Sequence, residues 1–329
     1  MGPNPFCRTK CGTEDFIVTI CDAALRQMEI IMDTYILKKT PFSGVATALA
    51  TPFSGGEVDL DAFRRLVEWQ VDMGIDALCV AGTTGESATL TRAERRRLTA
   101  CAKDAADGRV PVIVGCGSAD TATACTLCHD AVALGADALL VITPYCNKGT
   151  ASGIVEHFKR IAEAAGDRPV ILYNVPSRTG VDLTLEQYQT LSALPNVCAV
   201  KEAAANFTKI TRLCGETNLS VYSGNDDMIL PVVSLGGSGV ISVLSNLAPA
   251  AVAAMTPAAM DGDFATAQKL AHKYARLISL LFAETNPAPL KYAMQQLDLC
   301  SGEMRLPLAE IGESLQSDLR AELQKLSML

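Results

Sequence analysis

Short apolar runs recur through the middle of the chain, and a longer stretch with helical spacing follows each one. We count eight of them, at 45–50, 77–81, 111–115, 138–143, 169–174, 197–202, 219–223 and 239–244. Runs that are apolar without alternation are buried on both faces, as parallel strands covered by helices are. Between them the period changes: Leu60, Phe63, Leu66, Val67 and Val71 share one helical face, with Asp59 placed as its N-cap. Thr91-Arg92-Ala93-Glu94 reads as a capping box, in which Thr91 and Glu94 satisfy two free amides before Leu98 and Cys101 turn inward.

Eight strand-helix units predict an α/β fold of the closed (β/α)₈ TIM-barrel type. An open doubly wound sheet is the alternative. It calls for a glycine-rich turn after the first strand, where this chain has Thr51-Pro52-Phe53. Three further helical stretches, 263–284, 290–297 and 307–325, follow the eighth strand with no strand between them. They exceed what a barrel needs and predict a C-terminal helical region over 263–329, packing on the barrel at 42–262 and on neighbouring subunits. Residues 1–41 read as an N-terminal tail, disordered or derived from an upstream start. They include a weak helical stretch at 22–33 and an internal start at Met32.

At 329 residues, 49% hydrophobic and 19% charged, the chain can bury a large core, which excludes a disordered or fibrous protein. A net charge of -8, with no basic stripe interleaved with aromatics, argues against a nucleic-acid partner. No apolar run approaches the roughly 18 to 20 residues of a membrane helix, and no signal-peptide pattern opens the chain, so a cytoplasmic protein is expected. The twelve cysteines are scattered through apolar segments and read as buried thiols. Cys125-Thr126-Leu127-Cys128-His129 has the spacing of a c-type haem attachment site. It lies, however, inside the helical pattern Ala124, Leu127, Cys128, Ala131, Leu134, with Gly135 as its stop, so core packing explains it. Cys7 and Cys11 lack a second pair at zinc-like spacing, and no metal site is expected.

In such a barrel the active site lies at the C-terminal ends of the strands. The polar groups there are Gly82-Thr83-Thr84-Gly85-Glu86 after the second strand, Tyr145 after the fourth, Tyr173 and Asn174 ending the fifth, Lys201 ending the sixth, and Ser223-Gly224 at the seventh. Lys201 is the unusual one, because it ends the apolar run Val197-Cys198-Ala199-Val200. The plainer reading is a strand-end lysine at the surface. Alternation offers another: if Ala199 points into the barrel then Lys201 does too, and Glu202 faces the helices. A lysine in an apolar barrel mouth is stripped of solvent, which favours the neutral amine that attacks a carbonyl. Imine formation also needs a proton shuttle, which Tyr173 on the adjacent strand can supply. It needs carboxylate donors as well, available from Thr83, Thr84 and the amides of their turn. Taken singly, the turn reads as a tight connection and Tyr173 as a packing residue.

Gly82-Thr83-Thr84-Gly85-Glu86-Ser87, Tyr173-Asn174-Val175-Pro176-Ser177-Arg178-Thr179-Gly180 and Lys201-Glu202-Ala203 resemble the signatures of the dihydrodipicolinate synthase (4-hydroxy-tetrahydrodipicolinate synthase) family, within the N-acetylneuraminate lyase superfamily. The resemblance runs from about residue 42 to the C-terminus. It implies condensation of pyruvate with L-aspartate 4-semialdehyde in the diaminopimelate and lysine pathway, without cofactor or metal, by a homo-oligomer that is a tetramer built from tight dimers. By the same resemblance Lys201 is the Schiff-base residue, Tyr173 the proton donor and acceptor, Thr83 the relay hydroxyl and Thr84 a ligand of the pyruvate carboxylate. Ile241 matches the pyruvate-site isoleucine and Gly224 lies on the same rim.

Arg178, in a Ser-Arg-Thr-Gly run that N-acetylneuraminate lyases lack, is implied as a two-point fork for the carboxylate of the aldehyde. The plainer reading is a rim arginine paired with a carboxylate. Another pyruvate-dependent aldolase, of the N-acetylneuraminate or keto-deoxy sugar acid type, and a non-catalytic barrel that binds a keto acid are the alternatives. Two departures from the family pattern stand out. The family follows Thr-Pro-Tyr with a second tyrosine in the proton relay, where this chain has Cys146, leaving Tyr145 or a water to fill the space. The histidine, asparagine and glutamate of the family's lysine pocket are replaced by Arg95, Ala119 and Thr123, while Ser87, Ala88 and Tyr145 are retained. Weak or absent inhibition by lysine is implied.

Overall fold

The eight apolar runs are eight strands in the computed structural model, which describes residues 40–329. They are β1 (Gly44–Ala48), β2 (Ala77–Val80), β3 (Val112–Gly115), β4 (Ala138–Ile142), β5 (Val170–Asn174), β6 (Val197–Glu202), β7 (Ser220–Ser223) and β8 (Gly239–Ser242). Each lies parallel to the next, and β8 returns to β1 with Gly44 opposite Gly239 and Thr47 opposite Ser242, so the barrel closes. Several strands stop one or two residues short of the apolar run that predicts them. Residues 49–50 and 243–244 are buried but already belong to the turns, and Ala81 leaves the ladder with a left-handed φ of 52°.

Each strand feeds a helix: α1 (Leu60–Asp72), α2 (Arg92–Ala106), α3 (Thr121–Ala133), α4 (Ala151–Ala165), α5 (Leu185–Ser192), α6 (Phe207–Glu216), α7 (Ile229–Ser234) and α8 (Pro249–Met260). The two capping signals are present. Asp59 accepts from the Ala62 amide, and Thr91 and Glu94 form the reciprocal box. Cys128 is buried on α3 and the Cys125 thiol bonds the Arg160 carbonyl on α4, so packing accounts for both cysteines of the haem-like pentapeptide.

Alternate residues of the strands fill the barrel interior, among them Ala46, Ala48, Cys79, Ile113, Leu140, Ile171, Tyr173, Ala199, Tyr222 and Ile241. This is a packed core rather than a pore. Phe42, just before β1, stacks on Tyr222 with ring centroids 4.2 Å apart, and the Tyr222 hydroxyl donates to the Phe42 carbonyl at 2.5 Å.

After α8 come α9 (Phe264–Leu281), α10 (Ala288–Gln296) and α11 (Glu313–Lys325). Leu277, Leu281, Leu290, Met294, Leu319 and Leu323 join Val45, Val240 and Val252 in one apolar cluster, so these helices share a core with the barrel wall. The third helix starts at Glu313, not at residue 307. The preceding segment is held by long-range bonds: the Arg305 guanidinium donates to the Gly56 and Thr89 carbonyls and to the Glu94 carboxylate, and lies 4.5 Å from the Phe53 ring centroid. The predicted tail over 1–41, except its last two residues, with the 22–33 helix, Met32, Cys7 and Cys11, lies outside the described residues.

Hydrogen bonds from Arg305 and from Thr91 hold the Glu94 carboxyl at about 2, below its ordinary 4.5. A carboxyl depressed in the folded state adds stability that is complete above its unfolded pKa and is lost as pH falls through the folded one. Stability should therefore decline as pH drops from about 4.5 toward 2, and Glu94→Gln should flatten that part of the profile. Urea denaturation at a series of pH values checks this, and the same slope in both proteins would refute it.

Candidate active site

All six residues of β6 are buried, and alternation turns Ala199 and Lys201 into the barrel. Glu202 faces outward, where it accepts from the Asn174 side-chain amide at 2.9 Å, the Tyr188 hydroxyl at 2.9 Å and the Ala204 amide at 2.8 Å. Burial pushes its carboxyl pKa up and these bonds oppose the rise. Lys201 is only 5% exposed, which excludes a strand-end lysine standing in solvent. Tyr173 is its register partner on β5, and the Lys201 Nζ lies 4.6 Å from the Tyr173 ring centroid.

Ile241 is fully buried on β8, inside the barrel. Gly224 follows β7 and donates its amide to the Glu202 carbonyl at 2.8 Å. A Cβ there would stand 2.6 Å from that of Ala203, so glycine is what lets these two strand ends approach. The buried Asp226 carboxylate accepts from the Ser242 hydroxyl at 2.5 Å and from the Val243 and Leu244 amides at 3.0 and 2.9 Å. Burial pushes its pKa up, and the Lys201 charge is among the influences drawing it down. Burial likewise pushes the Cys79 thiol up to about 11, which keeps that side chain protonated inside the barrel.

Thr83 is half-buried and Thr84 buried in the turn after β2. The left-handed residues of this turn are Ala81 and Glu86, at φ of 52° and 55°, rather than its glycines. Such strain persists only where surrounding contacts impose it. At Glu86 they come from α10 and from the segment that follows it. Lys291, fully buried, donates from Nζ to Glu86 Oε1 at 2.7 Å and to the Thr51 carbonyl at 2.8 Å, and Glu86 Oε2 accepts from the Arg305 amide at 3.2 Å. Desolvation draws the Lys291 pKa down and Glu86 opposes it. Removing one partner of such a pair strands a buried charge, at about 3 to 5 kcal/mol. Just before α10, the Asn286 side-chain amide donates to Thr84 Oγ1 at 3.0 Å, and the Asn286 carbonyl accepts from the Arg178 guanidinium at 3.1 Å.

Arg178 is exposed on the single helical turn Pro176–Thr179, and its bond goes to a carbonyl rather than to a carboxylate. Tyr145 and Cys146 lie exposed on the loop after β4, Cys146 with a left-handed φ of 72°, whereas Lys201 and Tyr173 are buried. Sequence reasoning missed Asn286, Lys291 and Asp226. One signal was available for Lys291: a charge between Leu290 and the apolar pair Ala293 and Met294, on the face that a 3.6-residue period turns inward.

The sequence matches the Dihydrodipicolinate synthetase family over residues 41–326. The 4-hydroxy-tetrahydrodipicolinate synthase of Alkaliphilus oremlandii is 44% identical over 291 residues, 88% of this chain and 100% of that protein. The crystal structure of dihydrodipicolinate synthase from Aquifex aeolicus is 41% identical, with a TM-score of 0.86 over 87% of this chain and 99% of that one. The structure of DHDPS from Cyanidioschyzon merolae with lysine bound is 39% identical, with a TM-score of 0.86 over 88% of this chain and 100% of that one.

Beside the site, a cavity of about 440 Å³ is lined by Ser87, Ala88, Arg95, Ser118, Thr123 and Tyr145 among others, and no described residue lining it is acidic. Arg95 is held there by its bonds to the Ser87 carbonyl at 2.5 Å and the Gly115 carbonyl at 3.0 Å, and Ala119 is exposed nearby in sequence. A lysine ligand would find its ammonium without a carboxylate and facing a guanidinium. Turnover should therefore be unchanged by sub-millimolar lysine in a steady-state assay, and inhibition in that range would overturn the expectation.

Proposed function

The chain belongs to the dihydrodipicolinate synthetase family, and from that premise we propose that it condenses pyruvate, held as an imine on Lys201, with L-aspartate 4-semialdehyde. The observation that carries the reading is a buried lysine at the end of β6 in contact with the Tyr173 ring. The Lys201 amine adds to C2 of pyruvate, and the carbinolamine loses water to give the imine. Loss of a proton from C3 gives an enamine, whose C3 attacks the aldehyde carbon and forms the new C–C bond. The amino group of the second substrate then adds to C2, expels Lys201 and closes the ring, so one water is released overall. The iminium is itself the electron sink, and the sequence of steps calls for no cofactor.

Tyr173 supplies and accepts the protons of carbinolamine formation, with the Thr83 hydroxyl as relay. Thr84 binds the pyruvate carboxylate, while Ile241 and Gly224 shape its pocket. Arg178, with no carboxylate in its hydrogen bond to Asn286, receives the carboxylate of the aldehyde as a charged fork. We take the working assembly to be a homo-oligomer, a tetramer of paired dimers, acting in the cytoplasm. Among the described residues no helix is long and apolar enough to cross a membrane.

Pyruvate with borohydride should add irreversibly to Lys201, located by mass spectrometry of the digest, and condensation should follow on supply of the semialdehyde. An adduct on a different lysine, or none, refutes the mechanism. Cys146, where the family has a tyrosine, favours a second reading, a barrel that binds a keto acid without turnover. An adduct without steady-state condensation would establish that reading instead.

A cysteine sulfur falls several ångströms short of a phenol oxygen, and a thiol is a weak donor, so Cys146 does not replace the tyrosine directly. An ordered water held by two or more polar groups, or a reoriented Tyr145, completes the relay. Cys146→Ala should accordingly cost little turnover, whereas Tyr173→Phe should lose roughly 10²- to 10⁴-fold. Equal losses, with pyruvate binding intact, would make the thiol itself a relay group.

A further inference from the structure

We propose that Asn286, outside the eight strand-helix units, is a positioning residue that aims the Thr84 hydroxyl at the pyruvate carboxylate; the proposal rests on the reading of the site given above. A threonine hydroxyl has one proton to donate and lone pairs that accept. The Asn286 side-chain amide donates to Thr84 Oγ1 at 3.0 Å, which occupies a lone pair and leaves the proton of Thr84 for another acceptor. Both residues are buried, Thr84 at 3% and Asn286 at 5% exposed, so water does not compete for the contact. Donation into the oxygen also polarises the hydroxyl and strengthens it as a donor.

Packing alone does not account for an amide at this position. Asn286 Oδ1 is buried without a hydrogen-bond partner, a loss that an apolar side chain of similar size would avoid. Asn286 is held in turn from two sides. Its carbonyl accepts from Arg178, and Lys291 ties the helix that follows to Glu86 and to the Thr51 carbonyl. The C-terminal region therefore grips the turn after β2 at Thr84 and at Glu86, two residues apart. The groups that receive the two substrate carboxylates meet at one side chain and its own carbonyl.

The test titrates pyruvate against borohydride trapping at Lys201 without the aldehyde, then measures both KM values in steady state. The proteins are wild type, Asn286→Ala, Asn286→Asp, Thr84→Val and the Asn286→Ala/Thr84→Val double variant. Half-saturating pyruvate should rise roughly three- to tenfold in Asn286→Ala, as expected for one hydrogen bond. It should rise further in Asn286→Asp, where a carboxylate replaces the donor and repels that of the substrate.

The aldehyde KM should hold in Asn286→Ala, because the backbone carbonyl that receives Arg178 is retained. The double variant should bind pyruvate no worse than Thr84→Val, since both changes act through one hydroxyl. An unchanged pyruvate dependence, equal rises in both KM values, or additive effects would overturn the proposal while leaving the Lys201 reading intact. A wild-type protein that forms no adduct at Lys201 would overturn both. Should Asn286→Ala fail to fold, the isosteric Asn286→Asp tests the same contact through its own, larger rise in half-saturating pyruvate, and no rise there would overturn the proposal.

Discussion

The barrel closes at a seam where two glycines meet, and every other feature of the molecule depends on that closure. Gly239 opens β8 at a φ of 135°, and a Cβ there would stand 1.8 Å from the Gly44 carbonyl oxygen on β1. Gly44 itself has a φ of 102°, its amide bonds the Ser238 carbonyl, and the following Val45 amide bonds the Asp76 carboxylate. A side chain at Gly239 would hold the first and last strands apart, and one at Gly44 would collide with the Asp76 carboxylate that bonds the next amide. With the seam shut, all eight strands run in one direction and their C-terminal ends surround a single mouth. Residues far apart in sequence then become neighbours there, and a strand residue faces either the interior or the helices with no third choice.

Two buried lysines show how differently the same side chain is partnered in one fold. Lys291 has a carboxylate at 2.7 Å and a carbonyl at 2.8 Å, so its charge is met and it acts as a strut between α10 and the turn after β2. Lys201 touches the Tyr173 ring, and the nearby Asp226 carboxylate has Ser242 and two amides for company. The paired Lys291 ammonium is locked in place, whereas Lys201 stands beside an aromatic ring at the barrel mouth. The strut also explains why the Thr83-Thr84 turn tolerates left-handed backbone at Glu86: a contact from a distant helix holds it.

The core follows the same division. One apolar cluster lies between the strands and helices over much of the barrel, a second joins its wall to the C-terminal helices, and a third fills the interior and includes the Phe42–Tyr222 stack. Because the second includes Val45 and Val240 of the closing strands, the C-terminal helices are bound into the seam. Their contribution to the site through Asn286 and Lys291 continues that attachment toward the barrel mouth.

What the sequence determined by itself was whatever depends on neighbours a few residues apart. The eight strands and their burial, the caps at Asp59 and Thr91, the inward face of Lys201 and the outward face of Glu202 follow from periods of two and 3.6 and from local hydrogen bonding. Tertiary structure alone decided the rest. Asn286 reaches Thr84 across 202 positions and Lys291 reaches Glu86 across 205, distances over which no local pattern carries information. The start of the last helix was misplaced for the same reason, since Arg305 is anchored to Glu94, 211 residues away, rather than to its own turn. Likewise the left-handed backbone of the turn after β2 falls at Ala81 and Glu86 rather than at its glycines, and the contacts that hold Glu86 arrive from elsewhere in the fold.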